Sequence, residues 1–440
     1  MILFFSIRIN AQLCFSPPTF LTSSNSPTAL ITTDLNNDNK IDLVSANSMG
    51  GGISVFFGSG TGVFSSATTY TGIVWPTSLT SADFNSDGNM DIVSVNYGSY
   101  SMSILLGNGA GGFNFILPFG GGLAPFWVTN SDFDSDGKLD LAVTEPNANR
   151  VTILTGNGLG GFIANTNFSV GLNPNSIISA DFNEDGNADL VTANKFSNDI
   201  SVLLGTGSGS FSIANNYPAG TGSAALINGD FNSDGHQDIV TANYDSKDIS
   251  LLLGSGNGSF SAPLNFYVGS WPPSITTADF NNDTKLDIAI PIKDSTNLAV
   301  LLGDGNGSFS SPQYFDVGSN YSYSITNGDF NGDGKIDLAS GIHYTGIISV
   351  LLNCNTITEV NENKLIEIVV FPNPTTSILN ITGEYNQLQN STIEIKNYLG
   401  ELVFTCPFQN KIDISNLSDG LYLVSLANSA YSRKVLIIQK

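Results

Sequence analysis

Apolar and polar residues alternate along this chain in short runs, four to a unit, and the unit repeats. From Met90 the run Met90-Asp91-Ile92-Val93-Ser94-Val95 gives way to a variable polar loop, then to Ser103-Ile104-Leu105-Leu106. A glycine-rich turn from Gly107 to Gly112 follows, then a third run opening on Phe113 and a fourth before the next unit. Alternation with a period of two in runs this short predicts strands, and the Gly and Asn between them predict tight turns. The first Asp of the loop that opens each unit falls at Asp34, Asp83, Asp132, Asp181, Asp230, Asp279 and Asp329, at intervals of 49 and, once, 50 residues. A four-stranded unit of this length cannot bury both of its faces alone, and such units stack radially as blades. The expectation is an all-β chain whose main domain, residues 12–354, is a seven-bladed β-propeller.

Closure of the ring is also legible. The last repeat stops at Leu351-Leu352-Asn353-Cys354 without its glycine turn or its Phe-led strand, whereas Phe15 to Phe20 matches the Phe-led strand elsewhere. The N-terminal strand is therefore expected to complete the last blade. Aligning both ends on the turn from Gly303 to Phe309 sets Cys14 and Cys354 on the two sides of one hairpin, which predicts a Cys14 to Cys354 disulfide and leaves Cys406 over.

The pattern changes after Cys354. Residues 355–365 are polar and read as a linker. Residues 366–440 alternate as short strands, including Thr392 to Lys396 and Leu421 to Leu426, which predicts a small β-sandwich. At the other end, Met1 to Ala11 is apolar and reads as a short or truncated export signal with cleavage before Gln12. No segment is long enough to span a membrane as a helix.

The loop that opens each unit carries the candidate chemistry. Position 1 is always Asp, at the seven residues already given. Position 3 is Asn36, Asn85, Asp134, Asn183, Asn232, Asn281 or Asn331, and position 5 is Asp38, Asp87, Asp136, Asp185, Asp234, Asp283 or Asp333. Position 7, Lys40, Asn89, Lys138, Asn187, His236, Lys285 or Lys335, would contribute its backbone carbonyl, and position 9 is Asp42, Asp91, Asp140, Asp189, Asp238, Asp287 or Asp337. Oxygen ligands at this spacing suit Ca2+, up to seven ions in a structural role. Position 6 is Gly in five copies, where a positive φ lets successive oxygens converge; Asn39 tolerates it, whereas the β-branched Thr284 should resist it. The loop from Asp279 is expected to be the weakest site. An EF-hand would need Glu at position 12, where this chain has Ser45, Ser94, Val143, Thr192, Thr241, Ile290 and Ser340.

The formal charge of −23 is then mostly site chemistry, since 21 of 38 acidic residues are the Asp at positions 1, 5 and 9. Lys and Arg are few and scattered, so a nucleic-acid partner is excluded.

The Asp-x-Asn-x-Asp-Gly-x-x-Asp loops, followed by Leu-Leu-Gly-x-Gly-x-Gly-x-Phe, resemble FG-GAP/VCBS repeats, the units of propellers like those of integrin α-subunits, over roughly residues 14–354. The resemblance implies that the acidic loops join the first and second strands of each blade on one face. The tail, with Phe371-Pro372-Asn373-Pro374, Gly420-Leu421-Tyr422 and a basic, apolar end, resembles the type A C-terminal sorting domain of the type IX secretion system. That resemblance implies a Gram-negative cell, contact of the tail with the secretion machinery, and a secreted or outer-surface protein.

Loops on the other face carry Trp75, Tyr97, Trp127, Tyr244, Trp271, Tyr321 and Tyr344 among Asn and Asp. Aromatic faces beside hydrogen-bonding groups suit glycan or extracellular protein ligands. The leading expectation is a monomeric, non-catalytic binding or adhesion module. A polysaccharide lyase or hydrolase on the same scaffold is the alternative, with Glu145, Arg150, Lys195, His343 and Tyr344 as its raw material, and a structural surface-layer component is the third reading.

Overall fold

A computed structural model describes residues 13–120, 122, 124–355, 369–371, 374–375, 377–382, 392–397, 401–428 and 431–439. The export signal, most of the linker and Pro372-Asn373 lie outside the described residues. The chain divides into two compact units, Met1–Thr356 and Ile357–Lys440.

The first unit contains seven four-stranded antiparallel sheets. In the second sheet, Pro76–Ala82, Asp91–Asn96, Ser101–Gly107 and Phe113–Gly120 pair in chain order. The first strand of each sheet lies against the first strand of the next, and Pro27–Thr33 of the first sheet meets Ser322–Gly328 of the last. The last sheet takes its outer strand from the other end of the chain: Thr19–Thr22 pairs with Ile347–Leu351, Thr19 opposite Val350 and Thr22 opposite Ile347. Cys14 and Cys354 are disulfide-bonded there, with Cα atoms 5.1 Å apart, and Cys354 N–H donates to the Cys14 carbonyl.

The second strand of every sheet is buried along its whole length, as Asp91–Asn96 shows, because sheets pack against both of its faces. There is accordingly no single central core. Seven apolar clusters lie between neighbouring sheets, such as Phe84, Val93, Met102 and Ile104 against Val128, Leu141 and Leu154. The residue after the first Asp of each loop plugs this interface: Phe84, Phe133, Phe182, Phe231, Phe280 and Phe330 are each at most 3% exposed. Each stands edge-to-face on the Phe that leads the outer strand one sheet on, as Phe182 does on Phe260 at 5.8 Å; for Phe280 that partner is Phe15 from the N-terminal end. The motif's Phe and the turn's Phe are thus two halves of one contact, worth about 1 kcal/mol beyond the area they bury.

Outer strands differ from the continuous Phe-led run that the alternation predicts. Only Phe113–Gly120 and Phe162–Ser169 are continuous. In the others the Phe makes a lone bridge, such as Gly205 to Phe211, and the strand resumes later, at Asn215–Pro218 in that sheet. Ser212 explains the gap, since its Oγ accepts the Leu204 N–H in place of a backbone carbonyl.

The second unit has a three-stranded sheet, Val369–Phe371, Ile378–Thr382 and Lys411–Asp413, and a four-stranded one, Leu402–Pro407, Thr392–Asn397, Gly420–Asn428 and Tyr431–Gln439. Leu379 and Ile412 from the first meet Ile393, Ile395 and Val424 from the second in one apolar cluster, so the unit is a sandwich. Among the described residues the only helical turns are short 3-10 ones, at Tyr97–Ser99 and Pro146–Ala148. Among the same residues no helix is long and apolar enough to cross a membrane.

Candidate metal loops and the opposite face

All seven acidic loops join a first strand to a second strand and fold alike. In the loop from Asp83, Asp83 Oδ2 accepts the Gly88 N–H at 2.8 Å, and Asp83 Oδ1 and Asn85 Oδ1 both accept the Asp87 N–H at 3.0 Å. Asp87 Oδ1 accepts the Asn89 N–H at 2.9 Å. The bond from the position 6 N–H to the position 1 carboxylate recurs in every copy at 2.6 to 2.9 Å. Side-chain oxygens of positions 1, 3 and 5 are thereby wound around one centre. Where position 3 is also acidic, one oxygen each of Asp132, Asp134 and Asp136 lies within 4.8 Å of the others.

Thr284 adopts the left-handed turn all the same, with φ of +70°, and its N–H bonds Asp279 as glycine does elsewhere. The expected resistance appears as stored strain, of order 1–3 kcal/mol, not as a different loop. A second left-handed residue stands at position 4 in every copy, from Asn37 at +58° to Gly332 at +73°. The sequence does not announce it, because Ser86, Ser135 and Glu184 are not residue types that favour the left-handed region.

The position 9 aspartates are fully buried and join two elements. One oxygen accepts the N–H of position 2 at 2.9 to 3.0 Å. The other accepts the N–H of the residue 16 positions on, at 2.6 to 2.8 Å: the glycine that starts the turn in six repeats and Asn353 in the last. Burial outweighs these bonds: it pushes Asp91, Asp238 and Asp337 up to about 6 and Asp287 to about 7. Exposed position 5 carboxylates move the other way, Asp87 and Asp185 being held low by the N–H of position 7.

Position 7 side chains serve the surface. Lys40, Lys138 and Lys335 pair with the Asp two residues before them. His236 bonds Glu184 of the neighbouring loop at the surface, which raises its pKa. Asn37 Nδ2 bonds Asn89 Oδ1 in the same loop-to-loop fashion at 3.0 Å.

The antiparallel order of the strands sets the loops between second and third strands, and those between sheets, at the end opposite the acidic loops and glycine turns. There the residue six beyond each position 9 Asp forms a series through the seven repeats: Ser48, Tyr97, Pro146, Lys195, Tyr244, Lys293 and His343. In five of them its N–H donates to the carbonyl of the residue before the first strand, as Tyr97 does to Trp75 and His343 to Tyr321, and Lys293 donates to Trp271, further upstream of Thr276. Pro146 has no N–H to give. Trp75 and Tyr321 hold positive φ there, +56° and +67°, and are 53% and 42% exposed.

The aromatic residues expected on this face form separate groups. Trp75, Tyr97, Tyr100 and Phe126 make edge-to-face contacts at 5.9 to 6.3 Å. Tyr244 and Trp271 stack at 6.2 Å, and Tyr321, Tyr344 and His343 form a third group. Trp127 is half-buried and packs on the cluster between the third and fourth sheets. It also lines a cavity of about 220 Å3 with Thr28, Thr77, Asn175, Ala224, Ser274 and Tyr323, so that all seven repeats contribute to the lining. Glu145 is buried and bonded to Arg150 and Thr152. His343 stacks on Tyr323, and burial with nearby Lys293 holds its pKa low.

The FG-GAP-like repeat family matches residues 34–94, 132–192 and 230–290, and the secretion system C-terminal sorting domain family matches residues 369–439. No curated protein matches the chain in sequence. Similar solved structures include BBS1N in complex with ARL6DN, 11% identical at a TM-score of 0.57, covering 78% of this chain and 98% of that one. A Lactobacillus plantarum protein is 15% identical at a TM-score of 0.53, covering 67% and 86%. A Desulfotomaculum acetoxidans protein is 12% identical at 0.51, covering 72% and 89%. At these identities the likeness is one of fold. The sorting domain indicates export to the cell surface or beyond. The chain is an exported protein of FG-GAP-like repeats that ends in a secretion system C-terminal sorting domain.

Proposed function

We propose that the protein is a calcium-stabilised, non-catalytic recognition module of the cell surface, reached through type IX secretion. The observation that carries the reading is the division of labour between the two ends of every sheet: seven copies of one oxygen-lined loop at one end, unlike aromatic loops at the other. The donors fit calcium. Positions 1, 3 and 5 offer hard oxygens, and position 9 offers a buried carboxylate whose oxygens each retain a lone pair beside the one N–H bond they accept. A cation there would supply the counter-charge that seven buried carboxylates lack, and would tie a strand-to-strand turn to the hairpin 16 residues on. The non-catalytic part rests on the groups an enzyme would use, since Glu145 and Arg150 are bonded to each other and His343 is stacked on Tyr323 with Tyr344 edge-on to it.

The test is a glycan-array and cell-surface binding screen of the secreted protein, with calcium and with chelator. Binding that requires calcium and falls in Trp75→Ala is the expected result. Turnover of a bound polysaccharide would move the reading to an enzyme, and silence in both screens would favour a structural surface role.

A further inference from the structure

The face opposite the acidic loops is not uniform in charge. The chain holds only 15 Lys and Arg, yet three lysines gather on two stacked rings. Lys195 and Lys293 lie over the Tyr244 ring at 5.0 and 5.2 Å, and Lys247 lies over Trp271 at 4.8 Å. Lys293 Nζ also donates to the Tyr244 hydroxyl at 2.6 Å. The arrangement is built by the repeat, since Lys195, Tyr244 and Lys293 hold the same position in three consecutive sheets.

What these ammoniums do not touch is as informative. Lys40, Lys138, Lys335 and Arg150 are neutralised by carboxylates within 4.0 Å. Among the described residues, Lys195, Lys247 and Lys293 form no such pair. Asp199 and Asp248, in the same loops, accept from Asn194 and Ser197 and from Asn243 and Ser246. Asp245 and Asp294 are exposed; the Asp294 charge acts on Lys293 without closing to an ion pair. A ring face orients an ammonium and leaves its formal charge unspent. Phe196, next to Lys195 and 68% exposed, sets an open aromatic surface beside the cations.

We propose that Lys195, Lys247 and Lys293, set on Tyr244 and Trp271, bind the acidic group of an anionic saccharide, a uronate carboxylate or a sulfate ester. This rests on the recognition reading above and narrows its ligand class. The acidic group pairs with the ammoniums while the C–H face of a sugar ring lies on the neighbouring aromatic surface.

The test uses the full chain at fixed calcium with matched polymers: polygalacturonate against its methyl ester, and a sulfated galactan against its desulfated form. The acidic member of at least one pair is expected to bind and its neutral partner not to. The triple variant K195Q/K247Q/K293Q should weaken that binding by about ten-fold or more and flatten its salt dependence, with an unchanged melting temperature. The pair that responds separates carboxylate from sulfate. Equal binding of acidic and neutral forms, lost in Trp75→Ala but not in the lysine variant, would overturn this inference and leave the recognition reading standing. Equal binding of polyglutamate would overturn the saccharide part, and failure of every polysaccharide would overturn the inference together with the glycan half of that reading.

Discussion

A single carboxylate per repeat, at position 9, carries two jobs, and pH separates them. Burial raises Asp91, Asp238 and Asp337 to about 6 and Asp287 to about 7. A group raised in this way favours the folded state fully below its unfolded value, near 4, and that contribution is lost as pH rises through the folded value. The chelated protein should therefore melt at a lower temperature at pH 8 than at pH 5. With calcium present the ionised form is the one the ion needs, so the melting temperature at pH 8 should exceed that of the chelated protein by many degrees. Equal melting curves in calcium and chelator at pH 8 would remove calcium from the account. A flat profile from pH 5 to 8 in chelator would show that these carboxylates are not the groups that titrate.

At the scale of the element, the loop and the hairpin act as a pair across the sheet interface. Phe182 fills the gap between the fourth and fifth sheets, 2% exposed, on Phe260. Phe182→Ala should cost about 3–5 kcal/mol in urea unfolding, whereas exposed Ile213→Ala should cost almost nothing. This level was the most legible from sequence, since Asp, Gly and Phe at fixed offsets predict the loop, the turn and their repetition. Legibility failed where a residue's role depends on a neighbour far along the chain. The lone bridges of the outer strands follow from one serine hydroxyl, as at Ser212. Lys195, Tyr244 and Lys293 come from three variable loops set 49 residues apart. Glu145 and Arg150 resemble free chemistry in the sequence and are each other's partners in the fold.

For the whole molecule, the chain divides into two compact units, and the match to the sorting domain lies wholly in the second. A chain lacking residues 365–440 should accumulate in the periplasm with its melting temperature unchanged, as fractionation and thermal unfolding would show, and normal surface display would contradict the sorting role. Replacing Cys14 and Cys354 by Ser should lower stability by up to about 5 kcal/mol, because the bond spans 340 residues. That bond has a topological consequence as well. It turns residues 14–354 into a covalent circle, so a protease that cuts any one surface loop opens the circle without releasing a fragment. The nicked product is in effect a circular permutant whose new ends lie at the cut, and it should migrate as one species until a reductant is added. For a protein displayed outside the cell, a first cut is then survivable, and loss of a piece requires a second.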